Sequence, residues 1–479
     1  MVFKNIKTVL RQAQIIRRIF NILYSRHSNT PNNQIELLSI STLEELKNLI
    51  FEGGSVYIKL MQWYISKLRH SDTNNSHISP EIITQLTEYF EDIFEDCPYH
   101  DIEYTKEIFK LDRGISLDAY IDINTLKPIA SGSIGQVYYA KRKLFGTDIA
   151  IKVKHPNIDN DVKDGQYIIS FIKWLQSIPY FKRKYNLCFD FQDFIESINM
   201  QIDFTNEHQN NTILRHNFKK SRNCVVFPEV IFSSRNILIS EYIPAVDVNT
   251  LSTYQQQQSA INLVCFMHQM VQIDNFIHGD LHHKNWKVAM RNDEFGVERS
   301  ILVIYDCGIC FKSPSIEMTR EFWDALESSD LTELGNLVKK FVIGDKNMTP
   351  SCQIELDTFV SDVRKHSLTT QLIMRRILGI FANNNIVVDK FLLNLIILLC
   401  LLENFLKKNN FLKTANDNLD IMQIIKETRL DITTFCSVRN SYLEVSTLMQ
   451  EKIDKDNKKI KPQLFASIGT SGFKFKPII

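Results

Sequence analysis

Three side chains able to handle protons and metal ions stand close together in NFIHGDLHHKNWKV, residues 275–288: His278, Asp280 and Asn285. A carboxylate can accept or steer a proton, and a carboxamide oxygen a few residues on can help to hold a hard divalent cation. Further along, ILVIYDCGIC supplies a second carboxylate, Asp306, directly after an apolar run and just before Gly308.

Phosphoryl transfer needs exactly such parts, because it demands positioned phosphates, placed metal ions and an oriented nucleophile more than covalent chemistry. Asp280 and Asn285 reproduce the spacing of the kinase catalytic loop H-R-D-x-x-x-x-N with His278 in place, and Asp306 with Gly308 forms a D-x-G in which Cys307 stands where Phe is usual. Asp280 is the candidate catalytic group, and Asn285 and Asp306 are the candidate Mg²⁺ ligands. Upstream, ASGSIGQVY brings Ala130, Ser131, Gly132, Ser133, Gly135 and Gln136 into a small-residue loop where backbone N–H groups can approach phosphates. IAIKVKHP then sets Lys152 on a strand among apolar neighbours, with Lys154 on the same face, and QIDFTNEHQN offers Asp203 and Glu207 four apart on a helix as carboxylates for the lysine. Each part alone has an ordinary structural explanation; their order along the chain points to a nucleotide site. A metal site from His278, His282 and His283 lacks a spacing that aims both neighbouring histidines inward.

The elements that must position these groups follow from the pattern of apolar residues. Residues 1–125 read as helical, with amphipathic runs at 8–26, 42–70 and 80–96 separated by the polar loops SNTPNNQ and SDTNNSH. KPIASGSIGQVYYAKR and TDIAIKVKHP read as two strands joined at Gly146. Residues 158–220 return to helix, CVVFPEVIFSS and NILISEYI read as two more strands, and beyond Asn249 the chain is mainly helical. There a short strand pair flanking the loop at 278–288, and the run SILVIYDCG, interrupt the helices. The expected class is α+β, divided into a helical extension (1–125), a small β-rich lobe (126–247) and a large helical lobe (248–479).

Composition sets outer limits. The 479 residues suggest two or three packed subregions, and 56 basic against 55 acidic side chains give no reason to expect a nucleic-acid partner. Nine scattered cysteines, with only Cys307 and Cys310 close together, read as free thiols of a reducing intracellular compartment. The basic N-terminal segment MVFKNIKTVLRQAQIIRRIFNILYSRH fits a helix packed on the main domain, and a membrane-surface or targeting segment stays open beside it. The apolar run FLLNLIILLCLL, residues 391–402, is shorter than the roughly twenty residues a membrane span needs and reads as a buried core helix.

Across about residues 45–315 these segments together resemble the UbiB/ADCK family of atypical protein-kinase-like proteins. PIASGSIGQVY is similar to its alanine-rich loop, QIDFTNEHQN to its E/Q-x-D-x-x-x-E signature, and YIKLMQ to its K-x-G-Q extension, which singles out Lys59 and Gln62. The resemblance implies a bilobal protein-kinase-like fold, ATP and Mg²⁺ as cofactors, Glu207 as partner of Lys152, and Asp203 as an extra acid near the nucleotide. It also implies ATPase or small-molecule or lipid-linked phosphotransferase activity, often at a membrane surface, with a non-catalytic scaffold for a lipid or quinone biosynthetic complex as the alternative. Met61 stands where the extension has Gly, Gln201 where many members have Glu, and Gly132 interrupts the alanines of the loop.

Overall fold

The computed structural model describes residues 38–70, 80–90, 97–165, 191–222, 224–282, 284–292, 298–321 and 350–365, with Ser170 and scattered residues in 11–22 and 376–398. His283, both polar loops, the first ten residues and most of the apolar run 391–402 lie outside the described residues. In chain order the elements begin with α1 (Ile40–Gly53), α2 (Ser55–His70), α3 (Pro80–Phe90), α4 (Ile102–Arg113) and the short α5 (Leu117–Tyr120). Next come β1 (Ile121–Ser131), β2 (Gly135–Arg142), β3 (Asp148–Lys154), α6 (Phe191–Gln201), α7 (Phe204–Asn217), β4 (Val225–Val226), β5 (Val230–Ser233) and β6 (Ile237–Glu241). The remainder comprises α8 (Thr253–His268), β7 (Ile277–His278), β8 (Trp286–Asn292), β9 (Glu298–Ile304), β10 (Cys310–Phe311) and α9 (Pro350–Lys365). The chain divides into two compact units, Met1–Gln209 with Glu229–Tyr242, and Asn210–Pro228 with Ile243–Ile479.

In the first unit, Ser39 caps α1 by accepting a hydrogen bond from the Thr42 N–H, and Gly54 at φ 84° separates α1 from α2. Leu46, Leu49 and Ile50 of α1, Tyr57 and Met61 of α2, and Ile82, Leu86 and Phe90 of α3 form one buried cluster. The other side of α2, through Val56 and Leu60, packs with Ile134, Phe204 and Leu238. The sheet itself has five strands in the order β1-β2-β3-β6-β5, every neighbouring pair antiparallel. Alternate residues Ile149, Ile151 and Val153 of β3, with Ile237 and Ile239 of β6, join Phe109 of α4 in the core on one face. The segment KPIASGSIGQVYYAKR, expected as one strand, is two. A turn closed by the Gly132 N–H donating to the Gly135 carbonyl at 3.0 Å folds β1 back on β2, and β1 begins at Ile121, inside the stretch read as helix.

In the second unit, β4-β9-β8 form a three-stranded sheet with β4 parallel and β8 antiparallel to β9. Ser252 and Gln255 make a capping box at the start of α8, whose end widens into a π turn over Gln269–Ile273. Phe218, Phe227 and Phe266 pack ring against ring with centroids 4.9–5.9 Å apart. Two expectations are corrected here. CVVFPEVIFSS is not one strand: Pro228, which lacks an N–H, falls between β4 and β5, which belong to different sheets. The strand β7 before the 278–288 loop pairs with β10 and not with β8. Among the described residues no helix is long and apolar enough to cross a membrane.

Candidate active site

On β3 the two candidate lysines have different fates. Lys152 reaches Glu207 of α7, Nζ to Oε2 2.8 Å, with both side chains largely buried, and its ammonium lies 5.1 Å from the Phe204 ring centroid. Lys154 is buried instead, donating to the Ile202 carbonyl at 3.0 Å and pairing with Asp159 at 3.1 Å. Desolvation pulls its pKa below the usual lysine range, partly offset by Asp159. The pairing with Glu207 therefore belongs to Lys152, and Lys154 is an anchor between β3 and the start of α7.

Asp203 is not on a helix face beside Glu207. It precedes α7 and caps it, its Oδ1 accepting from the Thr205 N–H at 3.0 Å and from the Thr205 hydroxyl at 2.6 Å. Of the loop residues, Ala130 is exposed, Gly132 half-buried, and Ser131, Ser133, Gly135 and Gln136 buried. A Cβ on Gly135 would come 2.8 Å from the Val153 carbonyl oxygen, so only glycine lets β2 approach β3 there. Gln136 turns its side chain inward, with Oε1 accepting from the His100 N–H at 2.9 Å. Lys59 and Gln62 lie one turn apart on α2, both half-buried.

In the second unit, backbone pairing alone assembles the remaining groups. Trp286 pairs with Ile304 across β8 and β9, and beyond them the Tyr305 N–H donates to the Asn285 carbonyl at 2.8 Å, which sets Asn285 beside the residue preceding Asp306. His278 pairs with Cys310 across β7 and β10, and the Gly279 N–H donates to Ile309 O at 2.8 Å, which ties the Asp280 segment to the chain leaving Asp306. A Cβ on Gly279 would meet the Ile309 and Phe311 side chains at 2.8 and 3.0 Å, so that crossing is close. The Asn285 amide is oriented by Nδ2 donating to the Asp280 carbonyl at 2.8 Å, which turns Oδ1 the other way. Asp306 sits at φ 45°, a left-handed conformation that Asp tolerates better than most residues, and accepts from the Gly308 N–H at 3.2 Å.

His278 is fully buried at the centre of this arrangement. Its Nδ1 accepts from the Asp280 N–H at 3.2 Å and its Nε2 faces the Tyr305 carbonyl at 3.4 Å, so the neutral Nε2–H tautomer satisfies both. Burial lowers its pKa, while the charges of Asp280 and Asp306 pull the other way. Asn210 on α7 was not singled out from the sequence, yet its Nδ2 donates to the Cys307 carbonyl at 2.8 Å and holds the backbone next to Asp306. An Asn on a polar helix carries no local signal for such a contact.

A sequence model of the ABC1 atypical kinase-like domain matches residues 92–337, more than half of the chain. The chain belongs to the ABC1 atypical kinase-like family. The α+β, kinase-like class expected from the motifs holds, as does the resemblance to the UbiB/ADCK proteins. Relatives of this ABC1 chain include the ABC1 family protein MCP2 of Saccharomyces cerevisiae, 26% identical over 66% of this chain and 54% of that protein. A probable serine/threonine-protein kinase, abkC, of Dictyostelium discoideum is 28% identical over 50% of this chain and 34% of its own length. A probable protein kinase UbiB of Shewanella woodyi is 25% identical over 56% and 47%. The matches thus span about a third to a half of these curated relatives. Among solved structures, a complex of Rv3197 with erythromycin from Mycobacterium tuberculosis covers 60% of this chain and 79% of its own at 17% identity and a TM-score of 0.41. The ABC1 match begins downstream of α1–α3, so Lys59 and Gln62 lie outside it.

Proposed function

We propose that this ABC1 chain binds ATP with Mg²⁺ and acts as an atypical kinase or ATPase, passing the phosphoryl group to water or to a small-molecule or lipid-linked acceptor. The observation that carries this reading is the strand-built grouping of Asp280, Asn285 and Asp306 around a neutral His278. The Lys152–Glu207 pair at 2.8 Å supports it independently. The donor set suits Mg²⁺, a hard cation that takes oxygen ligands: a carboxylate from Asp306 and a carboxamide oxygen from Asn285. Bound there, the metal would neutralise charge on the phosphates. Lys152, fixed by Glu207, holds non-terminal phosphates, and Asp280 accepts or steers the proton of the attacking hydroxyl or water. His278 keeps the Asp280 backbone in place and takes no part in proton transfer, since both ring nitrogens are already engaged.

The test is Mg²⁺-dependent stabilisation by ATP in the wild type and in Asp306→Asn. At a hundred times Kd, binding raises stability by about 2.7 kcal/mol. The wild type should show a rise of that order together with steady hydrolysis, and Asp306→Asn should lose the Mg²⁺ dependence without losing the fold. Stabilisation of the wild type with no turnover, with or without lipid vesicles, would leave a nucleotide-binding scaffold. Unchanged Mg²⁺ dependence in Asp306→Asn would overturn the metal assignment.

A further inference from the structure

Behind the turn that joins β1 to β2 lie two histidines that the phosphoryl-transfer reading does not use. His155, directly after β3, places Nε2 3.0 Å from the Gly132 carbonyl oxygen and Nδ1 2.7 Å from Nδ1 of His100. The other nitrogen of His100 is 2.8 Å from the Thr105 hydroxyl on α4, and that hydroxyl is 2.9 Å from the Tyr138 hydroxyl on β2. Tyr138 and Thr105 are fully buried or nearly so.

Each proton in this chain has one consistent place. A carbonyl only accepts, so His155 Nε2–H donates to Gly132 O. Neutral His155 then accepts at Nδ1, which makes His100 Nδ1–H the donor and His100 Nε2 an acceptor. Thr105 must donate to His100 Nε2, and its oxygen in turn accepts from the Tyr138 O–H. Gln136, on the same strand as Tyr138, steadies the middle of the chain: its Oε1 accepts from the His100 N–H. Burial favours the neutral rings this order requires. Desolvation, then the neighbouring His155, lowers the His100 pKa to about 4 against a weaker upward pull from Asp101, and desolvation lowers that of His155. Among the described residues, the further groups in contact with these rings are uncharged: the Tyr104 and Tyr138 rings beside His100, and the Ser131 hydroxyl 3.4 Å from His155 Nε2.

We infer that Tyr138, Thr105, His100 and His155 form a directed hydrogen-bond relay that holds the Gly132 carbonyl, and with it the Ser131–Gln136 turn, in the conformation that receives the nucleotide phosphates. The nucleotide part of this statement rests on the function proposed above; the positioning part does not. Two further backbone ties act on the same turn. The His155 N–H donates to Ile134 O at 2.9 Å, and the Cys97 N–H donates to Ser131 O at 2.8 Å. Residue 155 therefore grips the turn through both backbone and ring, and only the ring contact depends on His. His100 and His155 are positioning residues, acting on phosphates through the loop.

The experiment compares full-length wild type, His155→Phe, His155→Gln and Tyr138→Phe. Gln keeps an N–H donor for Gly132 O, whereas Phe keeps the ring volume without it. Tyr138→Phe removes only the first hydroxyl of the relay, so it tests the inference even where a change at 155 harms folding. Losing a hydrogen bond of ordinary strength corresponds to about a tenfold change in an equilibrium. In nucleotide-free protein, amide hydrogen exchange over residues 131–136 should quicken about tenfold in His155→Phe and stay within about threefold of wild type in His155→Gln, with Tyr138→Phe between them. Mg–ATP affinity should fall in the same order. Unchanged exchange in folded His155→Phe and Tyr138→Phe, or equal quickening in His155→Phe and His155→Gln, would overturn the relay. The expected order of exchange among the four proteins, with no Mg–ATP binding by the wild type, would uphold the relay and overturn the nucleotide reading.

Discussion

At the scale of single residues, two lysines a step apart on one strand face looked interchangeable in the sequence, and neighbours from distant segments separate them. Glu207, on a helix far along the chain, takes Lys152, while the Ile202 carbonyl and Asp159 take Lys154. Asp159 is five residues beyond Lys154, but Glu207 and Ile202 are 55 and 48 residues from their lysines, so no local window contains the whole choice. The pair is largely buried, so its members should act as a unit. Lys152→Met and Glu207→Gln combined in a double-mutant cycle on ATP affinity and on stability should show coupling of about 0.5–3 kcal/mol, and additive losses would mean that the two side chains do not meet in solution. A second residue-scale consequence concerns pH. Desolvation at the end of α8 lowers the His268 pKa from 6.5 to about 4. The unfolded chain takes up a proton near 6.5 that the folded chain refuses until about 4, so this contribution to stability is complete above pH 6.5 and is lost as pH falls toward 4. At 1.36 kcal/mol per unit the loss is on the order of 3 kcal/mol. The melting temperature of the wild type should therefore drop through that window, and His268→Phe should flatten the drop; an equally steep fall in the variant would contradict the assignment.

At the scale of elements, strands with buried faces were legible and the edge was not. DIAIKVK alternates and ILISE opens on a buried apolar run because both lie inside the sheet, whereas β1 is an edge strand with most of its residues exposed, so IDINTLKPIAS carries little alternation and tolerates Pro128. The helix that bears Glu207 was legible from its polar and apolar residues, but its start was placed too early. Asp203 caps α7 through Thr205 instead of lying on it, a position the four-residue spacing to Glu207 disguised as a shared face. Asp203→Ala should cost about 1 kcal/mol in chemical denaturation, and Asp203→Asn, which can still accept from the Thr205 N–H, should recover most of it. An alanine variant as stable as the wild type would show that the cap contributes nothing.

At the scale of the whole molecule, the order of motifs along the chain was sufficient for class and family, because phosphate loop, lysine, carboxylate, catalytic loop and D-x-G each need a particular element type in a particular sequence. What the sequence could not show is how backbone pairing builds the site: β7 against β10 and β8 against β9, with Asn285 and Asp280 joined through the Asn285 amide. Those pairings link segments separated by loops and are decided by the fold of the second unit. The relay behind the phosphate turn was invisible for the same reason, since His100, just before α4, and His155, just after β3, are 55 residues apart in the chain and meet only in the fold. The proposed function requires that this assembly turn over ATP with Asp280 acting on the attacking group. Its most direct test is parallel measurement of Mg–ATP affinity and steady-state hydrolysis in wild type and Asp280→Asn. General acid–base help is worth about a hundredfold to ten-thousandfold, so kcat should fall by that range while Kd for Mg–ATP changes by less than about threefold. Hydrolysis by Asp280→Asn at the wild-type rate would contradict the account and reduce HGDLHHKN to a structural loop.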